Sequence, residues 1–356
     1  MSNKTILALG ADIKNRFLLA KNERLLFGPD IGDLSIAENY ELFKRNILSV
    51  IKKHKPHIIA YDLHPGYFSS NFLKGLTLHL TLNTLHPVQH HHAHIASVMQ
   101  EHNLKGQVLG VCFDGTGFGT DANIWGGEFL IVDKKSFKRA AYLKYRMMPG
   151  GEKVVSQPWR MALSILGKKA LPFLKEIDNK DKKTALLMIA KGINCPLSSS
   201  AGRTFDAAAA LLGICQRANY EAEGPIKLEA LCDKNTKSFY NFKTVKANSC
   251  FIIDTDGLFL GMVNDLIKKI DVPVIATRFH NSMVEIIVKT AKLLSSSTRI
   301  KTIALSGGVF GNQFLKSRAI DRLNASGFKV FTNNKTQAND LNISLGQYYI
   351  ACLKRR

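Results

Sequence analysis

The sequence predicts an α/β protein in which helices cover sheets, arranged as two lobes around a cleft. Three observations carry that expectation. Strand-like apolar runs alternate with segments of helical spacing along most of the chain, the pattern of layered α/β folds. Strands end on a glycine turn three times, in "LALGADIKN", "VCFDGTGFG" and "ALSGGVFGN". The chain has 356 residues, 46% of them hydrophobic, which is enough to fill more than one core. A sharp glycine turn after a strand lets backbone N–H groups approach phosphate oxygens. Three such turns in one chain favour a nucleotide cleft between the lobes.

The elements follow in order. "TILALGADIK" reads as a buried strand leaving through glycine, and "RFLLAKNERLLFGPD" as a hairpin continuing from it. Residues 36–53 have helical apolar spacing, "PHIIAYD" is a short buried strand, and "TLHPVQ" is a strand leading into a histidine-rich helix. "GQVLGVCFDGTGFGTD", "IWGGEFLIVD" and "RAAYLKYR" are three strands separated by turns. Helices are expected at 158–166 and 181–192 and in "TFDAAAALLG", then a less regular stretch around 232–250. Helices at 257–270 and 278–296, a strand in "KTIALSGG", a helix near 309–326, a strand in "KVFTN" and a helix near 341–354 close the chain. The first lobe is placed at residues 1–105 and the second at 106–356, with the last helix able to pack back on the first lobe.

Composition narrows the function classes. The formal net charge is +21, so nucleic acid, nucleotide or an acidic protein are candidate partners. Lys and Arg are spread over many segments, including the terminal "LKRR", with no arginine-rich tract or RNP-like aromatic motif, which disfavours nucleic acid. No run approaches the length of a membrane span, and the N-terminus lacks the apolar core of a secretory signal. Six cysteines are scattered without a C-x-x-C pair, which argues against a zinc ribbon or disulfide framework and fits a reducing cytoplasm.

The densest chemistry lies in "VQHHHAHIASVMQE". His90 and His94 stand four apart and share a helix face, a common two-point metal clamp, while His91 with His94 at i,i+3 is the competing pair. The glutamate of H-E-x-x-H is missing, which disfavours a zincin-type protease. Asp114, at a strand exit, and Asp340, before the last helix, are carboxylates able to complete a site, with turn and N-cap roles as their ordinary alternatives. Two imidazoles with carboxylates suit zinc or iron(II) alike. In "SSSAGRTFDAAAALLGI", Gly202 permits a tight approach and Asp206 sits where ribose hydroxyls could be bound. "SGGVFGN" sets Ser306, Gly307 and Gly308 at a strand–helix junction with Asn312 a turn further on, suited to phosphate capture but matching neither the Walker A nor the G-x-G-x-x-G pattern.

Together "VQHHHAHIASVM", "FDGTGFGTDANIWGGEF", "PGGEKVVSQPWRMAL", "SSSAGRTFDAAAALLG", "LSGGVFGN" and "NDLNISLGQ" resemble the C-terminal carbamoyltransferase domain of the HypF family of [NiFe]-hydrogenase maturation proteins. That domain is related to the tRNA threonylcarbamoyl transferases, and the resemblance runs over essentially the whole chain. It implies an actin/Hsp70/sugar-kinase-like fold of two lobes clasping an adenine nucleotide: carbamoyl adenylate, ATP, ADP or AMP. It implies a divalent metal, iron or zinc with magnesium beside the nucleotide, held by His90, His94, Asp114 and Asp340. Nucleotide contacts map to Gly202, Asp206, Gly307, Gly308 and Asn312, and Gly126 and Gly127 to a loop beside the phosphates. Lys14 and Asn15 match the family's N-terminal motif, with Lys14 able to meet a phosphate or carbamoyl oxygen. His91 and His92 become candidates for supporting the metal ligands or for facing the substrate, grouped with Lys14 as catalytic. The implied acceptor is the C-terminal cysteine thiolate of a HypE-type partner.

Departures from the pattern carry information too. The family's acylphosphatase-like domain, C-x-x-C zinc fingers and YrdC-like domain are not expected in this chain, so carbamoyl adenylate would come from a separate YrdC-like protein. "NDLN" stands where the family usually reads N-D-G-G, and "YEAEGPIKLEA" places Lys227 at a usual acid. Both put the nucleotide geometry, rather than the metal ligands, in question. The readings that follow are a carbamoyltransferase, a catalytically weakened nucleotide- and metal-binding partner subunit or divergent paralogue, and a small-molecule O-carbamoyltransferase.

Overall fold

The computed structural model describes residues 4–22, 24–76 and 84–352. Strand β1 (Ile6–Ala8) is wholly apolar and buried, and pairs antiparallel with β2 (Leu18–Lys21), which pairs with β3 (Arg24–Phe27). Helix α1 (Ala37–His54) buries Phe43 and Ile47 one turn apart and stops at Lys55, whose φ of 44° turns the chain out of the helix. Strand β4 (Ile58–Asp62) lies parallel to β1, helix α2 (Phe68–Leu76) follows, and β5 (Thr84–Val88) lies parallel to β4. The sheet order is β3-β2-β1-β4-β5. Helix α3 (His90–Glu101) begins at once, with the Gln89 side chain accepting a hydrogen bond from His92 N as its cap.

The second sheet repeats this plan. β6 (Val108–Phe118), β7 (Ile124–Val132) and β8 (Phe137–Leu143) form an antiparallel meander. A long excursion then carries β9 (Arg146–Met147), α4 (Lys153–Ser156), α5 (Trp159–Leu166), α6 (Asn179–Lys191), β10 (Leu197–Ser198), α7 (Ala201–Leu211) and α8 (Glu223–Ala230). The hairpin β11 (Lys243–Ala247) and β12 (Cys250–Asp254), helix α9 (Asp256–Ile267) and the long α10 (Val272–Thr298) complete it. β13 (Thr302–Ser306) then pairs parallel with β6, α11 (Gln313–Ala325) leads to the parallel β14 (Lys329–Thr332), and α12 (Ile343–Ala351) follows. The strands β8-β7-β6-β13-β14 thus copy the order and directions of the first sheet.

Helices α3 and α12 occupy equivalent places in the two repeats, and they pack on each other between the sheets. Gly346 makes their crossing close, since a Cβ there would lie 1.8 Å from the Ala93 carbonyl oxygen. Ile95, Val98 and Met99 of α3, Cys112 of β6, Ala304 of β13 and Ile343 and Tyr349 of α12 share one core cluster with Ile6 and Ile58 of the first sheet. From His90 to Met99 every residue is buried, which fixes the helix that carries the histidines.

Several elements differ from expectation. The stretch around 232–250 contains most of the β11/β12 hairpin, turned at Asn248 with φ 52°. Lysines 243 and 246 interrupt its apolar alternation because β11 is an exposed edge strand, where charge discourages further pairing. Helices α2 and α8 were not anticipated. The helix expected from 309 starts at Gln313 after a single 3₁₀ turn, and the last one spans Ile343–Ala351, residues 353–354 lying outside the described residues.

Candidate metal centre and cavity

Spacing on α3 puts His90 and His94 on one face, and a carboxylate and an amide fix which nitrogen each presents. His90 Nδ1 lies 2.8 Å from Asp62 Oδ2 at the end of β4, and His94 Nδ1 lies 3.0 Å from Asn342 Oδ1. Both Nε2 atoms then face Asp114 of β6 and Asp340 at the entry to α12. His90 Nε2 is 3.4 Å from Asp114 Oδ2 and 3.6 Å from Asp340 Oδ1, and His94 Nε2 is 3.5 and 3.6 Å from the same atoms. The four ligand atoms lie within 4.8 Å of one another.

These separations exceed an ordinary N–H···O hydrogen bond, and both buried Nε2 atoms lack a hydrogen-bond partner. They match the ligand-to-ligand edges of about 3.3–3.6 Å around a tetrahedral ion with bonds of about 2.0–2.2 Å. The residues therefore fit a divalent metal. The electrostatics agree. Burial opposes the His90 imidazolium, but Asp62 and the other carboxylates raise its pKa well above the usual value. Burial likewise works against the Asp114 carboxylate, but His90 and His94 hold its pKa well below the usual range. The pocket is built to balance two carboxylates with positive charge.

Asp114 also joins the cluster to a cavity. Its Oδ1 accepts the Gly308 amide at 2.9 Å, while Ser200, which caps α7, donates its hydroxyl to the Asp114 and Gly115 carbonyls. Gly202 brings α7 against Gly115, where a Cβ would sit 3.0 Å from the Gly115 Cα. Beyond these residues opens a cavity of about 850 Å³, lined on one side by Lys14 and on the other by Gly202, Arg203, Glu221, Gly308 and Asn312, with Asp114 and Asp340 in its wall. Lys14 Nζ pairs with Glu221 Oε2 at 3.0 Å between the N-terminal turn and the segment before α8. Asn15 is fully buried and donates to the Leu9 and Ala11 carbonyls, so it holds that turn rather than facing the cavity.

The other expected site residues are placed differently. His91 and His92 lie on the flanks of α3, because successive helical residues turn by about 100°. His91 Nδ1 meets Gln89 Nε2 at 3.0 Å and its ring packs near Trp125, in room left by Gly117. His92 packs on Phe137 and lines a separate cavity of about 810 Å³, its pKa lowered to about 4 by burial. Gly126 and Gly127 turn their amides to Glu128 Oε1, at 3.1 and 3.2 Å, and are absent from the cavity wall. They are glycines because Ser199 and Ser200 cross them closely: a Cβ on Gly127 would lie 2.4 Å from the Ser199 oxygen. Asp206 is buried behind the wall, 2.7 Å from Arg203 Nε, and burial raises its pKa to about 6. Gly307, at φ 101°, lets the chain pass over the Phe113 carbonyl. Asn312 reaches the cavity wall, but its Oδ1 caps Leu315 N and its Nδ2 meets His280 Nε2. Sequence reasoning missed Asp62, which ends β4, whereas Asp114 lies inside β6. It also missed Glu221, although that residue lies in the segment "YEAEGPIKLEA".

Two lobes of one strand order, with a cavity and a His/Asp cluster at their junction, define the two-lobed actin/Hsp70/sugar-kinase-like class of α/β proteins. Comparison with known proteins narrows this. Residues 110–347 match the second subdomain of the carbamoyltransferase Kae1-like domain, and residues 1–101 match the HypF Kae1-like domain. A carbamoyltransferase HypF homolog of Cupriavidus necator is 32% identical over 97% of this chain and 91% of its own length. Carbamoyltransferase HypF of Synechocystis is 32% identical over 97% of this chain but 47% of its own, so the chain spans about half of that relative. The crystal structure of a full-length HypF in the phosphate- and nucleotide-bound form superposes with a TM-score of 0.93, at 36% identity, over 99% of this chain and 47% of the other. The HypF of T. kodakarensis superposes with a TM-score of 0.87, at 31% identity, over 98% of this chain and 48% of that one. The chain belongs to the HypF carbamoyltransferase family, a family of enzymes.

Proposed function

We propose that this chain is a metal- and nucleotide-binding carbamoyltransferase of [NiFe]-hydrogenase maturation, moving carbamoyl from carbamoyl adenylate to a cysteine of a HypE-type acceptor. The observation that carries it is the placement of Asp114 and Asp340 both in the wall of the 850 Å³ cavity and against the Nε2 atoms of His90 and His94. A phosphate bound there would meet the His/Asp cluster directly. The lobes are taken as residues 1–105 and 106–356, with the cavity at their junction.

His90, His94, Asp114 and Asp340 would hold a divalent ion, which would supply positive charge to phosphate oxygens. The chain's own residues orient the substrate. Gly202 and Gly308 keep the wall open, and Lys14 offers a cation at the rim. The incoming thiolate attacks the carbamoyl carbon, the bond from that carbon to the phosphate oxygen breaks, and AMP leaves with the electron pair. The thiolate comes from the partner, because no cysteine of this chain lines the cavity among the described residues. Among those residues no helix is long and apolar enough to cross a membrane, and the reading adopted places the protein in the cytoplasm.

The test supplies purified protein with carbamoyl adenylate from a separate YrdC-like enzyme and with a HypE-type acceptor. AMP release and carbamoylated acceptor, both abolished in His94→Ala, are the expected result. Tight AMP or ADP binding without turnover overturns transfer and leaves a binding subunit.

A further inference from the structure

One of the two positions that depart from the glycine-rich pattern, Asn342, is fully buried and stands immediately before α12. We propose that Asn342 is a positioning residue that locks His94 in the tautomer with Nδ1 protonated and Nε2 bare toward Asp114 and Asp340. The inference rests on the metal-site reading above and deepens it.

The direction of the Asn342 amide follows from its neighbours. Its Nδ2 lies 3.0 Å from the Gln337 carbonyl oxygen, which can only accept a hydrogen bond. The same Nδ2 lies 3.1 Å from Asn333 Oδ1 and 3.3 Å from Ser306 Oγ. Asn333 is itself oriented, since its Nδ2 donates to the Glu101 carboxylate at 3.1 Å and to Ser97 Oγ at 3.0 Å. Its Oδ1 therefore faces Asn342 and also accepts from the Ser306 hydroxyl at 2.8 Å. With its NH₂ fixed, Asn342 turns its oxygen to His94 Nδ1 at 3.0 Å, and that nitrogen must carry the proton. A chain of donors thus runs from His94 through Asn342 and Asn333 to the carboxylate of Glu101, at the far end of the same helix α3.

A metal-binding histidine needs one bare nitrogen, and the partner of the other nitrogen decides which. His90 receives this service from the carboxylate of Asp62, His94 from a neutral amide. The two histidines are thereby made to point alike by different chemistry. A side chain at a position where the family pattern has glycine is then a working part of the centre rather than a flaw in it.

The experiment reads the tautomer first. Long-range ¹H–¹⁵N correlation spectra of metal-free, ¹⁵N-histidine-labelled protein, taken at a pH high enough that His94 is neutral and with His94 assigned by its loss in His94→Gln, are expected to show Nδ1–H. Asn342→Leu is expected to mix or reverse the tautomers. Zn²⁺ titration of the same samples is expected to show a loss of affinity of about 10–100-fold in that variant. Asn342→Gly, a smaller change, is the second variant should the leucine fail to fold, and is expected to move both readouts the same way. A wild-type His94 carrying its proton on Nε2, or a tautomer and affinity unmoved by either variant, overturns the proposal. Wild type binding no Zn²⁺ or Fe²⁺, with the tautomer still controlled by Asn342, overturns the metal reading while upholding the positioning.

Discussion

Two carboxylates occupy comparable places in the two lobes and have opposite fates. Asp12 and Asp114 each follow the part of their sheet's first strand that pairs in parallel with the fourth, and each accepts backbone amides from the segment after that fourth strand. Asp12 is consumed there: its oxygens accept Phe68 N, Ser69 N and the Ser69 hydroxyl, which pins the start of α2. Asp114 spends one oxygen on Gly308 N and turns the other to His90 and His94. Their acidities part accordingly. Burial raises the pKa of Asp12 despite its donors, whereas the two imidazoles outweigh burial and lower that of Asp114. The fold supplies a carboxylate at each strand exit, and what faces its second oxygen decides whether it holds structure or does chemistry.

The sharpest way to break this comparison is to neutralise each carboxylate. Asp114→Asn is expected to lower metal affinity by more than about 100-fold, above the loss from a supporting residue, and to stop turnover. Calorimetric metal titration and AMP release check it. Asp12→Ala is expected to leave metal affinity unchanged but to strip acceptors from three donors, costing about 2–3 kcal/mol of stability in urea unfolding. Loss of metal binding in Asp12→Ala would mean that the two lobes are not so divided.

A third buried carboxylate sharpens the electrostatic side. Asp206 pairs with Arg203, and burial lifts its pKa from 3.8 to about 6. The folded value lies above the unfolded one, so folding takes up a proton between them. The stability this gives is full below 3.8 and is lost as pH rises through about 6. Asp206→Asn is expected to remove that dependence, so that wild type gains on the variant by roughly 1–1.5 kcal/mol from pH 8 to pH 5, read by urea unfolding at both.

What was legible in the sequence tracks how local the signal is. Helical spacing offered His90 with His94 and His91 with His94 alike, because spacing is a property of one helix, and only the family resemblance favoured the first pair; the alternating strands were visible because each buries its own apolar run. Which way a polar side chain turns was not visible. Gly126, Gly127 and Asp206 had suitable types for phosphate and ribose, but their partners Glu128, Ser199 and Arg203 take them out of the cavity wall. Asn342 reads as a damaged glycine in sequence because its partners Asn333, Ser306 and His94 come from three other elements. Edge strand β11 was hidden for a different reason: its lysines serve solvent and not the core.

The smallest expected effect concerns the one ion pair described between Lys14 and Glu221 at the rim of the cavity. Both side chains are well exposed, 40% and 57%, and such pairs are worth at most about 1 kcal/mol because water screens them. Glu221→Gln is therefore expected to change unfolding stability by less than about 0.5 kcal/mol. The same substitution frees the Lys14 ammonium beside the cavity, so AMP binding is expected to tighten by about threefold, a difference of roughly 0.7 kcal/mol. A fall in AMP affinity with unchanged stability would instead make Glu221 a ligand of the nucleotide. The cluster beneath is buried and stiff, and the rim is exposed and weakly held. That contrast leaves the rim free to respond to what enters while the histidines and aspartates stay in place.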